Sequence, residues 1–183
     1  MAKNPYQLLH NTANVDYVGG EEVEIAKIIE ISTGEDVMYI VYSRDLYKVE
    51  GVHTGIFVYE DEGKENVVAK VDDINRPCLF ENGDIFFALM LHELGHYKNG
   101  DFDTDETLTT ESIMEDRTAC IMGGKVMDRE LKADAFAVKC IGKNKFLRSL
   151  DYLINKRKQR GDDGMQLALK EFELRKKAVC NIR

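Results

Sequence analysis

The chain has 183 residues, of which 44% are hydrophobic and 32% charged, and its formal net charge is −8. This composition suits one soluble domain and excludes a disordered chain; its longest apolar run, Ile85–Leu91, falls far short of the ~20 residues a bilayer-spanning helix needs. Four scattered cysteines without CxxC spacing read as free thiols, and the N-terminus shows no apolar stretch of the secretory type, so a cytoplasmic location is expected.

Residues 1–80 read as a helix followed by a small sheet. Glu21–Ile31 sets Val23, Ala26, Ile28, Ile29 and Ile31 among Glu and Lys, which predicts a helix ended by Gly34. Val37–Tyr42, Leu46–Val49, Gly55–Tyr59 and Val67–Val71 have the apolar, β-branched and aromatic content of strands, with a turn signal at Asp61–Gly63. After Pro77 the pattern changes. Asp84 is a suitable N-cap for a helix over 84–99, and Asn99-Gly100 stops it. Residues 101–116 hold seven acidic side chains and no Lys or Arg, as a solvated loop leading into a helix does. Further helices are predicted over Ser112–Met122, 126–141 (after the Gly123-Gly124 break) and 144–183, the last as Phe146–Lys158 and Met165–Val179. Strands early and helices late make an α+β chain.

Chemistry concentrates at His92-Glu-Leu-Gly-His96, inside the 84–99 helix. Residues i and i+4 share a helix face, so His92 and His96 can grip one ion from the same side. Neutral imidazole suits Zn²⁺, and the intervening Glu93 is placed to accept a proton from a water that such an ion acidifies. By average residue frequencies this pattern arises by chance in on the order of one in two hundred chains of this length. A catalytic zinc site needs a third protein ligand. A third histidine six residues on is absent, because that position is Phe102. Asp101 and Asp103 are available. So is Glu130, four residues before Asp134 on the 126–141 helix; Asp134 could then hydrogen-bond a ligating imidazole and fix its tautomer.

The segment His92–Asp101, followed by Arg129-Glu-Leu-Lys-Ala-Asp-Ala-Phe-Ala137, resembles the zinc peptidases of the HtpX and CaaX prenyl protease type, within the gluzincins. The resemblance covers about residues 84–155 and rests on HExxH followed by ExxxD with an alanine before the aspartate. It implies a zincin-like fold in which His92, His96 and Glu130 bind one Zn²⁺, Glu93 is the catalytic base and Asp134 supports a ligand. The family also stabilises an oxyanion with a polar residue; Arg148 and Tyr152, on the helix after the motif, are the candidates here. Members of the family are often membrane-embedded, whereas this chain has no span, so it resembles a soluble minimal member.

The expected activity is therefore zinc-dependent hydrolysis of a protein or peptide substrate, an extended peptide lying along Val67–Val71 or Ile56–Tyr59 as an added strand. A second expectation is a regulatory peptidase, or a weakly active protein of the same fold, dedicated to one partner. Charge is unevenly spread: residues 1–138 hold 12 basic and 28 acidic side chains, residues 139–183 hold 13 and 5. The basic part carries no groove-reading motif, so it reads as solvated helix faces rather than a nucleic-acid site.

Overall fold

The computed structural model describes residues 4–18, 21–42, 55–61, 63–71, 82–101, 110–160 and 165–182. A five-stranded mixed sheet precedes five helices among these residues, an α+β arrangement. The strands are β1 (Tyr6–Val18), β2 (Glu21–Glu30), β3 (Asp36–Tyr42), β4 (Gly55–Asp61) and β5 (Lys64–Lys70). Their order is β1-β2-β3-β5-β4, antiparallel throughout except that β3 and β5 run parallel.

The expected helix over Glu21–Ile31 is strand β2. From Glu22 to Lys27 the chain alternates charged and apolar residues, apart from the adjacent Ile25 and Ala26, and its β-branched side chains suit a pleated surface better than a helix. Burial follows period two, with Ala26 and Ile28 buried and Lys27 and Ile29 half-buried. Register then aligns the buried set across the sheet. Ala26 faces Ile40, Ile40 faces Ala69 and Ala69 faces Ile56, a continuous apolar row over four strands. A one-residue slip of any strand would turn its members to the other face. Strand β1 went unread in the sequence because its apolar residues are broken by polar ones, as in His10-Asn-Thr-Ala-Asn14. Of the two segments offered as substrate edges, Val67–Val71 belongs mostly to β5, which is paired on both sides; the edge strand is β4. The expected strand Leu46–Val49 lies outside the described residues.

The helices are α1 (Gly83–Lys98), α2 (Thr110–Met122), α3 (Asp128–Ile141), α4 (Lys143–Arg160) and α5 (Met165–Cys180). Helix α1 begins two residues earlier than Asp84 would cap it: Asn82 is the N-cap, and Asp84 sits in the first turn, where its charge favours the helix dipole. The helix is apolar around most of its circumference, burying Phe86, Ala88, Leu89, Met90, Leu91 and Leu94, because it is packed on several sides. It meets β4 and β5 on one side and α3 and α4 on others. One hydrophobic cluster therefore runs from the sheet through α1 into Phe146, Leu150 and Phe172 of the later helices. Among the described residues no helix is long and apolar enough to cross a membrane.

Candidate metal centre

The centre forms where α1 and α3 come closest. Gly95 makes this approach possible, since a Cβ there would lie 3.0 Å from the Cα and the carbonyl oxygen of Ala133. With the backbones this near, the side chains one turn away converge. The Nε2 atoms of His92 and His96 are 3.1 Å apart. Glu130, in the first turn of α3, brings one carboxylate oxygen to 3.4 Å from His92 Nε2 and the other to 3.8 Å from His96 Nε2. A tetrahedral zinc with bonds of ~2.0–2.2 Å spaces its ligands about 3.3–3.5 Å apart, so these three side chains could hold a metal ion.

Both imidazoles are held from behind. His92 Nδ1 donates to Asp134 Oδ1 at 2.8 Å. His96 Nδ1 donates to Asp101 Oδ2 at 2.7 Å. Each carboxylate fixes its ring as the tautomer whose Nε2 is available to a metal, the usual arrangement behind ligating histidines. Asp101 reaches this position through the end of α1. Gly100 adopts φ 72, which a side chain would strain, and the chain turns so that Asp101 N–H donates to the His96 carbonyl at 3.1 Å. Asp101, considered in the sequence as a ligand, hydrogen-bonds the His96 ring instead.

Arg175 of α5 completes the cluster, and sequence reading missed it. The residue is 4% exposed. Its Nε donates to Asp134 Oδ2 at 3.0 Å and its Nη2 to Oδ1 at 2.5 Å, while Nη1 lies 3.4 Å from Glu130. Nη2 is 3.0 Å from His92 Nδ1 and 3.2 Å from Nε2, straddling the ring edge rather than aiming at one lone pair. A signal for it existed. Ala168, Phe172, Arg175 and Val179 recur at three and four residues, so the arginine occupies a position on the buried stripe of α5.

These partners set the protonation of the metal-free cluster. Burial and the Arg175 charge act to lower the His92 pKa, but hydrogen bonds and charge from Asp134 and Glu130 outweigh them and raise it to about 9. His96 moves the other way, to about 4, through burial and the neighbouring His92 charge. Glu130 stays ionised well below the usual carboxylate range: burial opposes this, but the His92 hydrogen bond and the Arg175 charge prevail. In the metal-free protein the two carboxylates, Asp134 and Glu130, thus favour a protonated His92, while His96 beside it is held neutral. Glu93, half-buried beside them, is raised to about 7, chiefly by burial.

The other expected residues fall elsewhere. Arg148 is exposed on α4. Tyr152 is half-buried one turn on, with the Lys156 ammonium 5.4 Å from its ring centre. Asp103 lies outside the described residues. Comparison of the chain with protein-family models, curated proteins and solved structures gives no match in any of the three.

Proposed function

We propose that this chain is a zinc-dependent metallopeptidase of gluzincin type, with His92, His96 and Glu130 as ligands and Glu93 as general base. One observation carries the reading: two imidazoles on one helix turn, each tied at Nδ1 to its own carboxylate, present Nε2 atoms 3.1 Å apart toward a third, anionic donor. Two neutral nitrogens and one carboxylate suit zinc, and three protein ligands leave one position for water or substrate. Bound there, zinc would supply Lewis acidity, lowering the pKa of water and polarising a carbonyl.

The chain's own residues supply the rest. Glu93 takes a proton from the attacking water and returns it to the departing amine; a carboxylate poised near neutrality can do both. Asp134 and Asp101 keep the two rings aimed. Arg175 keeps Asp134 ionised, against the burial that would favour its neutral form. Strand β4, at the sheet edge and packed against α1, offers unpaired backbone groups along which an extended peptide could align.

Zinc content and peptide cleavage test this together. The purified protein is expected to hold one zinc per chain and to cleave an unfolded protein such as reduced casein. Glu93→Gln is expected to keep the zinc and lose about 10²–10⁴-fold in rate, the usual contribution of a general base. Absence of stoichiometric zinc, or cleavage unchanged in Glu93→Gln, overturns the reading.

A further inference from the structure

A cation drawn out of water is costly unless it is paired, so the cations packed into a fold usually have a partner. Arg175 meets Asp134 and Glu130. Arg117 of α2 grips Glu171 of α5, with Nε 3.0 Å and Nη2 2.7 Å from one carboxylate oxygen. Arg129 has no such partner. It is the second residue of α3, and its side chain is 28% exposed. Its Nε is shut off from water and has no hydrogen-bond acceptor. Among the described residues one carboxylate oxygen lies near it, Glu130 Oε1, at 3.9 Å from Nε and so beyond hydrogen-bond reach.

That distance sets Arg129 at the rim of the centre. The two oxygens of Glu130 face different neighbours. Oε2 lies 3.4 Å from His92 Nε2 and 3.4 Å from Arg175 Nη1. Oε1 lies 3.8 Å from His96 Nε2 and 3.9 Å from Arg129 Nε. The two Nη atoms of Arg129 are two bonds further on, reach solvent and donate to no described residue. Local structure gives no reason for a cation at this place. The first turn of a helix favours acids, as at Asp128 and Glu130, and a positive charge there opposes the dipole. Lys132, one turn on and exposed, adds a second positive charge rather than a counter-charge. Arg157 of α4 also has a shielded Nε without an acceptor, but no ion pair ties it to the centre. A planar fork with both outer nitrogens open accepts a carboxylate through two parallel hydrogen bonds. No described residue supplies that carboxylate, so an incoming ligand is left to supply it.

We propose that Arg129 is a specificity-determining residue, which holds a carboxylate of the substrate beside the scissile bond. This rests on the peptidase reading above. The carboxylate belongs either to an Asp or Glu side chain next to the cleaved bond or to the C-terminus of the substrate. The recognition is the same in both cases, an ion pair made by the Nη–H groups, and Arg129 makes or breaks no covalent bond.

The test compares wild type with Arg129→Gln, Arg129→Lys and Arg129→Glu, each with its zinc content measured. If the glutamine variant does not fold, the lysine and glutamate variants are read alone. The substrates are a peptide amide with neutral residues around the cleaved bond, the same peptide with Asp or Glu on either side of that bond, and the same peptide shortened to end in a free carboxylate. Calorimetry gives affinity for two probes that reach the ion through the same group, succinic monohydroxamate and its uncharged amide. Wild type is expected to favour a carboxylate peptide over the neutral one by about tenfold or more in kcat/KM, chiefly through KM, and to bind the charged probe tighter than the uncharged one by a similar factor. Arg129→Gln should bring both ratios near one, Arg129→Glu should invert them, and lysine should keep part of each. The side-chain and C-terminal peptides show which carboxylate is read. Ratios in Arg129→Gln that stay as in wild type, or a wild type that favours neither carboxylate, overturn the proposal. So does loss of zinc in both Arg129→Gln and Arg129→Lys, which makes the residue a support for Glu130. A wild type that takes up no zinc or cleaves none of the peptides overturns the peptidase reading itself, and this inference with it.

Discussion

Gly95 and Ala133 stand so close that the smallest side chain at Gly95 would meet the Ala133 backbone at 3.0 Å, and the Phe136 Cβ at 3.3 Å. Helix α3 carries Glu130 one turn before this contact, so the glycine sets how far Glu130 is from the two histidines. Gly95→Ala should gain about 0.5–1 kcal/mol of helix propensity and lose about 1–3 kcal/mol to overpacking. The expected net result is a lower unfolding midpoint in urea and weaker zinc binding in a chelator competition. An alanine variant with wild-type zinc affinity would show that the α1–α3 distance does not tune the site.

Asp101→Asn tests the support behind His96. The amide can present its NH₂ to Nδ1 and favour the wrong tautomer, placing the proton on Nε2. Zinc affinity should fall by about 10–100-fold, the usual effect of losing such a partner. The fold should survive, because Asp101 is only half-buried and closes the end of α1 through its backbone. Chelator competition, with circular dichroism as the control, measures both.

Zinc affinity should rise with pH up to about 9. His92 carries a proton in the metal-free protein until that pH, and an ion must displace it. Below about 9, each pH unit should strengthen binding by roughly tenfold for the single proton released. For stability the sign is the opposite. The raised folded pKa of His92 contributes stability to the metal-free protein that is fully present below its unfolded value of 6.5 and is lost as pH rises through about 9. Chelator competition at a series of pH values and urea titrations of metal-free protein should therefore trend in opposite directions. Parallel trends would show that His92 does not carry the displaced proton.

Arg175→Met should be severely destabilising. It leaves Asp134, 1% exposed, as a buried carboxylate whose remaining partner is His92. Breaking a buried pair from one side costs about 3–5 kcal/mol. Adding Asp134→Leu should recover part of that stability, since both charges are then gone, while zinc affinity stays low because His92 loses its orienting carboxylate. Urea midpoints of the two variants and of wild type decide it.

Much of the centre was legible in the order of residues, because an α-helix converts spacing into direction. His92 and His96 share a face at i, i+4, and Glu130 and Asp134 do the same on α3. Helix limits were also close, since Asn99-Gly100 and Gly123-Gly124 are local stop signals. The first half was harder. Over Glu21–Glu30 a mixed apolar pattern satisfies helical and strand periods alike, and only pairing with β1 and β3 decides for the strand.

By itself the sequence determined the α+β class, the two-histidine turn and the carboxylates able to serve it. Tertiary structure decided which of those groups meet. It brought Arg175 of α5 onto Asp134, placed Asp101 behind His96, left Arg148 exposed and set Arg117 against Glu171. The physical reason is separation along the chain: Arg117–Glu171 spans 54 residues and Arg175–His92 spans 83. No local periodicity reports such contacts. They exist because a buried charge must find its opposite once α5 packs against α2 and α3.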